Sequence, residues 1–189
     1  VTDEPAWHAT WVEPNPYDIG DDEGDDASAA ADAAEKVLLK KLRTRSLSVR
    51  EARAVVVAQD LDAAAVDRLL ELFLRRGYLD DAALADQLVY TAVERKGQGR
   101  HVIAQTLAKR GIPRDIADVA IASLPDDDAE RALEFARGKA RSLASLDRDT
   151  AVRRLMGQLA RRGYSGSTAL SAAKQALDET GSASGVRFR

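Results

Sequence analysis

Leu107-Ala108-Lys109-Arg110-Gly111-Ile112 returns 52 residues later as Leu159-Ala160-Arg161-Arg162-Gly163-Tyr164. Each stretch is the end of an apolar helical run, then a basic pair, then a glycine. Glycine tolerates the left-handed conformation that closes a helix, and cations in the last turn complement the helix dipole. A third break of this kind lies 51 residues upstream at Gln59-Asp60, after Ala54-Val55-Val56-Val57-Ala58. There Asp60 stands where the other two units carry glycine, so this turn is expected to form differently. A helical period of about 50 residues indicates tandem units, each leaning on its neighbour for burial.

Outward from these breaks the apolar spacing is helical, with no sustained period-2 alternation. Val66, Leu69, Leu70, Phe73 and Leu74 form one stripe, Val152, Leu155, Met156 and Leu159 a second, and Leu133, Ala136, Ala140 and Leu143 a narrower third. Such stripes face a core. Ser48-Val49-Arg50-Glu51 reads as a capping box with Leu47 stapled against Ala52. Gly77 also follows a basic pair, and Pro113 suits a helix restart. The pattern predicts about nine helices, near 31–44, 48–58, 62–76, 80–95, 99–110, 114–124, 127–144, 149–162 and 167–179. The expected fold is all-α: an elongated tandem array of three three-helix repeats over 31–78, 79–124 and 125–180.

The 189 residues carry a formal charge of -3, with 28 basic and 31 acidic side chains. That total conceals a division. Residues 1–29 hold nine acids and no Lys or Arg. Removing those nine leaves 22 acids against 28 cations, so the body from Ala30 onward is +6. A basic body favours a polyanion or an acidic protein surface. The acidic, proline-containing segment 1–30 cannot offset its chain entropy by burial and is expected to be disordered, although Trp7, Trp11 and Tyr17 are unusual in it. Residues 181–189 are expected to form a second, flexible tail.

Familiar chemistry is excluded one class at a time. The absence of cysteine removes disulfides, thiolate zinc sites and cysteine nucleophiles, and fits a reducing cytoplasm. His8 and His101 have no companions that would complete a metal shell. Gly138-Lys139 lacks the rest of a phosphate loop, and Gly97-Gln98-Gly99 lacks both a preceding strand and a third glycine. No membrane-spanning run and no signal peptide are expected. Catalysis, a cofactor and a metal are therefore not expected.

What recurs is Arg and Lys beside helix ends. Glu94-Arg95-Lys96-Gly97-Gln98-Gly99-Arg100-His101 concentrates cations in a glycine-containing turn that would let a polyanion or a partner backbone approach closely. Repeated basic turns on one elongated body match a partner that is itself periodic, a filament or a nucleic-acid strand. Tyr78, Tyr90 and Tyr164 are the few aromatic groups in the body available for base stacking, so base-specific reading is weakly supported. The candidate contact residues are Arg75, Arg76, Arg95, Lys96, Arg100, Lys109, Arg110, Arg161 and Arg162.

Three stretches together resemble the central signature of the RecX family of bacterial recombination regulators: Gly77-Tyr78-Leu79-Asp80-Asp81-Ala82-Ala83-Leu84-Ala85, Glu94-Arg95-Lys96-Gly97-Gln98-Gly99 and Leu107-Ala108-Lys109-Arg110-Gly111-Ile112. Leu42–Glu51 and Leu159–Ser165 are similar to that family's first and third repeats, and the likeness spans about 35–179. The resemblance implies a monomeric, non-enzymatic regulator, without a cofactor, of the RecA recombinase. Such a regulator binds in the groove of the RecA filament on single-stranded DNA. It also implies suppression of RecA's ATP hydrolysis, strand exchange and coprotease activity, and so a role in DNA repair and the SOS response. Two other readings use the same cations: a DNA-binding helical-repeat protein acting through phosphate contacts, and a helical scaffold for an unrelated acidic protein.

Overall fold

The computed structural model describes residues 22–184, with side chains described over 28–181; the expectation of a disordered segment concerns residues that lie largely outside this range. Nine α-helices and no strand occur among the described residues. They are α1 (Asp22–Leu42), α2 (Val49–Val57), α3 (Ala63–Arg75), α4 (Asp81–Tyr90), α5 (Arg100–Arg110), α6 (Arg114–Ala122), α7 (Asp128–Ala140), α8 (Arg148–Arg161) and α9 (Gly166–Ser184). A π-helical turn, Thr91–Arg95, extends α4, and a 3₁₀ turn, Arg141–Leu143, extends α7. Two limits differ from the sequence reading. Helix α1 starts at Asp22, inside the segment assigned to the acidic tail, and α9 continues to Ser184 past the expected end at 179.

Side-chain chemistry sets most of the helix limits. Asp62, Asp80 and Asp147 cap α3, α4 and α8 by accepting backbone N–H groups in the first turn. Ser48 and Glu51 form both halves of the capping box on α2. At the other ends, Tyr78 N–H donates to Phe73 O at 2.9 Å, Ile112 N–H to Leu107 O at 3.1 Å and Tyr164 N–H to Leu159 O at 3.2 Å. This is the Schellman closure, with Gly77, Gly111 and Gly163 at φ 70, 79 and 90°. The first turn shares the backbone conformation of the others but not their closing bond: Gln59 N–H donates to Val56 O at 2.9 Å, and among the described residues no bond from Leu61 N–H to Val56 O accompanies it. The φ of Asp60 is 57°, the same left-handed region, which aspartate tolerates better than most residues with a Cβ.

The helices gather in consecutive trios, each around its own core. Leu38, Val56, Val66 and Phe73 centre the first, Leu84, Val89, Ile103 and Leu107 the second, and Leu155, Leu159 and a row of alanines the third. The extensive helix packing lies within a trio: α1, α2 and α3; α4, α5 and α6; α7, α8 and α9. The third core is alanine-rich because Ala132, Ala136 and Ala140 of α7 face Ala169, Ala172, Ala173 and Ala176 of α9. Small side chains let those two helices approach closely. Two apolar expectations change: Leu74 is 44% exposed at the edge of its stripe, and Tyr164 is buried in the third core.

Leu155 and Leu159 are completely buried. Leu155→Ala removes side-chain volume from a tight, alanine-lined core. It is expected to cost about 2–5 kcal/mol in urea denaturation followed by far-UV circular dichroism.

Candidate partner interface at the repeat joints

The second helix of each trio meets the second helix of the next, end to end. The N-terminus of α2 lies against the C-terminus of α5. Ser48, the N-cap of α2, donates its hydroxyl to Arg110 O at 2.5 Å, and Arg50 Nη2 donates to Ala108 O and Lys109 O at 3.2 and 3.0 Å. Fifty-one residues on, the same joint recurs between α5 and α8, where Gly99 N–H, at the N-cap of α5, donates to Arg162 O at 2.8 Å. The last carbonyls of a helix have no partner inside it. Here they take donors from the preceding trio, and the positive end of one helix dipole faces the negative end of another.

Each joint is also clasped by the arginine that precedes its glycine. Arg110 donates Nη2–H to Ser46 O at 2.7 Å and pairs with Glu51 at 2.9 and 3.0 Å. Arg162 donates to Lys96 O and, at 3.3 Å, to Gly97 O, while its guanidinium stacks 4.1 Å from the centre of the Phe135 ring. Ser46 and Gly97 occupy equivalent places, two residues before the N-cap. The Tyr164 hydroxyl adds a bond to Gly97 O at 3.1 Å, and burial pushes that phenol up.

The turn glycines are required twice over. A Cβ on Gly111 would lie 2.1 Å from Arg50 Nε, and one on Gly163 would lie 2.6 Å from Val102 N. Close approach at Gly97-Gln98-Gly99 was expected to admit a polyanion or another protein's backbone. The structure corrects this: the backbone that approaches Gly99 is the chain's own, at Gly163 and Tyr164.

The nine candidate cations therefore divide. Arg110 and Arg162 hold the joints. Arg100 closes the second trio, donating to Ile121 O in the last turn of α6 and to Leu124 O and Pro125 O in the loop that follows, at 3.0, 3.0 and 2.7 Å. Arg76 pairs with Glu35 of α1 at 3.4 Å and Arg75 with Glu71 one turn back at 3.6 Å, both near the surface. Arg95, Lys96, Lys109 and Arg161 are exposed, and no ion pair engages their side chains among the described residues. Arg95 and Lys96 immediately precede Gly97 at the second joint, Arg161 adjoins Arg162 on its other side, and Lys109 adjoins Arg110 at the first. An open cleft of about 420 Å³ beside the second joint is lined by Glu94, Arg131, Phe135, Arg162 and Tyr164 among others. Of the three tyrosines considered for stacking, only Tyr78 and Tyr90 are exposed.

Several joint residues escaped the sequence reading. Arg50 and Glu51 were read as parts of a cap, yet both cross to α5. Asp81 is 7% exposed and accepts Val49 N–H at 3.0 Å, linking α4 to α2; burial pushes its carboxyl up, partly offset by that bond. The repeat register carried the signal, since Ser46 and Ser48 align with Gly97 and Gly99. It becomes readable only once one joint has been seen.

Comparison with known proteins bears on this architecture. The family model for the second three-helix domain of RecX matches residues 80–121, and that for the third matches residues 126–172. Regulatory protein RecX of Mycolicibacterium smegmatis is 32% identical over 164 residues, covering 82% of this chain and 85% of its own length. The chain belongs to the RecX family. Regulatory protein RecX of Streptomyces coelicolor is 29% identical over 161 residues, 85% of this chain and 86% of that one. The crystal structure of RecX from Lactobacillus salivarius superposes with a TM-score of 0.70 at 20% identity, covering 82% of this chain and 99% of that one, which shows a shared fold. The RecX family is one of regulatory proteins, not of enzymes. Among the described residues no helix is long and apolar enough to cross a membrane, and no three His, Cys, Asp or Glu side chains group to hold a metal ion.

Burial pushes the Glu51 carboxyl up, but the hydrogen bond from Arg110, the Ser48 N–H, the charge of Arg110 and the hydrogen bond from Arg45 outweigh it, so the group titrates below its ordinary value of 4.5. A carboxylate held low when folded contributes stability that is full above its unfolded pKa and is lost as pH falls through the folded one. The wild type is therefore expected to lose denaturation midpoint below about pH 4.5 more steeply than Glu51→Gln. At neutral pH that variant should already be about 1–3 kcal/mol less stable, as expected for removing a hydrogen-bonded charge. Urea titrations from pH 3 to 7 check both. Gly99→Ala, whose Cβ would lie 2.5 Å from Gly163 O, is expected to open the second joint. The radius of gyration from small-angle X-ray scattering should rise while helicity is retained.

Proposed function

We propose that this protein, as a cytoplasmic monomer without a cofactor, binds the RecA recombinase filament on single-stranded DNA. There it suppresses RecA's ATP hydrolysis, strand exchange and coprotease activity, and so moderates recombination, DNA repair and the SOS response. Membership of the RecX family supports the choice of partner. The observation that carries the geometry is the recurrence at both joints of exposed cations that engage in no ion pair among the described residues: Lys109 at the first, and Arg95, Lys96 and Arg161 at the second. One structural register apart, they present like charge to a partner that repeats. Arg75 and Arg76 at the end of α3 extend the same surface through weak, solvent-screened pairs that a partner can displace. Arg100, Arg110 and Arg162 belong to the contact indirectly, by fixing where the free cations stand.

The mechanism is mechanical. An array that touches successive recombinase subunits ties them together and resists the subunit motion that accompanies nucleotide turnover. No bond is made or broken by the regulator. A phosphate-dominated DNA-binding mode is the second reading, favoured by the same exposed cations.

Reversing Arg95, Lys96, Lys109 and Arg161 to Glu leaves every joint hydrogen bond intact. This variant is expected to keep wild-type helicity and to inhibit single-strand-dependent ATP hydrolysis by RecA at least roughly tenfold less well, since several rim charges change sign together. Full inhibition by the variant would refute the cation surface. Binding to naked single-stranded DNA separates the second reading: a log–log salt slope of about -0.7 per phosphate contact supports it, and a flat response excludes it.

A further inference from the structure

The acidic aromatic segment lies outside the described residues. Residues 1–21 carry Asp3, Glu4, Glu13, Asp18 and Asp21, no Lys or Arg, and both tryptophans of the chain, Trp7 and Trp11. We propose that this segment docks back on its own body, on the basic face at the first joint, and shields that face from other polyanions. This goes beyond the filament contact proposed above and does not depend on it.

Three observations select the surface. The first is charge. The last turn of α1 and the loop after it present Lys40, Lys41, Arg43 and Arg45, all exposed, and Arg45 reaches the joint through Glu51 at 3.2 Å. Arg50 and Lys109 continue the face across the joint, where the Arg50 guanidinium bonds to the Lys109 carbonyl. Among the described residues, of these six cations only Arg45 has a carboxylate partner, and it shares that partner with Arg110.

The second observation is reach. The segment joins the body at Asp22, the start of α1, and the 21 residues of α1 span about 31 Å at 1.5 Å per residue. Twenty-one residues of extended chain cover up to about 70 Å. The segment can therefore run the length of α1 to its basic end, and tethering holds it there at an effective concentration of the order of millimolar.

The third is exclusion. The groove nearest the point of attachment is lined by Asp32, Glu35, Asp60 and Asp62 with only Arg68 to oppose them, so it repels an acidic chain. The aromatic rings add a reason for the pairing, because indole faces attract Lys and Arg cations and pack on their aliphatic stems.

The two tryptophans make the test direct, since all indole fluorescence of the chain comes from this segment. Acrylamide quenching of the full chain is measured at 50 mM and at 1 M salt, where the screening length falls to about 3 Å. Docking predicts a quenching constant at least twofold lower at 50 mM salt, independent of protein concentration. It also predicts that Lys40→Glu, Lys41→Glu and Lys109→Glu together raise the low-salt constant to the high-salt one. A second variant, Asp3→Asn, Glu4→Gln, Glu13→Gln and Asp18→Asn, touches none of the described helices and is expected to expose the indoles equally. Equal quenching of the wild type at both salts would overturn the proposal. So would low-salt protection that survives both variants, or protection that grows with concentration, which would place the segment on a second copy.

Discussion

The end-to-end joint between second helices is the constraint from which the rest of the architecture follows. A helix C-terminus leaves carbonyls unpaired and a helix N-terminus leaves N–H groups unpaired, and setting one against the other satisfies both at once. Here Arg110 O receives Ser48, Arg162 O receives Gly99, and the side chain of each arginine returns to a carbonyl just before the facing helix. With both ends anchored, the register between trios is fixed by hydrogen bonds rather than by apolar area. This is how three small cores, one built mostly of alanine, behave as one array.

That arrangement also explains why neighbouring cations differ in role. In the basic pairs of the two joints the second residue, Arg110 or Arg162, turns inward to clasp the joint and the first, Lys109 or Arg161, is left outward. Burial decides between them. Arg110 side-chain exposure is 22% and its partner Glu51 is 21% exposed, so their interaction is strengthened by partial exclusion of water. Among the described residues the outward cations are exposed and engage in no ion pair, which leaves them available to a partner.

The sequence by itself determined the helices, their caps and the three-fold repetition. These depend on local periodicity and on turn chemistry, which short stretches such as Ser48–Glu51 and Lys109–Gly111 carry completely. It also disclosed the division of charge between the first 29 residues and the body. Only the tertiary structure decided which cations are spent and which are free, because an arginine's partners, Ser46 for Arg110 or Gly97 for Arg162, lie more than 60 residues away and are backbone carbonyls. A carbonyl is the same at every position, so no residue type announces it. The same reason hid the purpose of Gly99 and the second purpose of Gly163, whose missing side chains make room for backbone that only the folded array brings near.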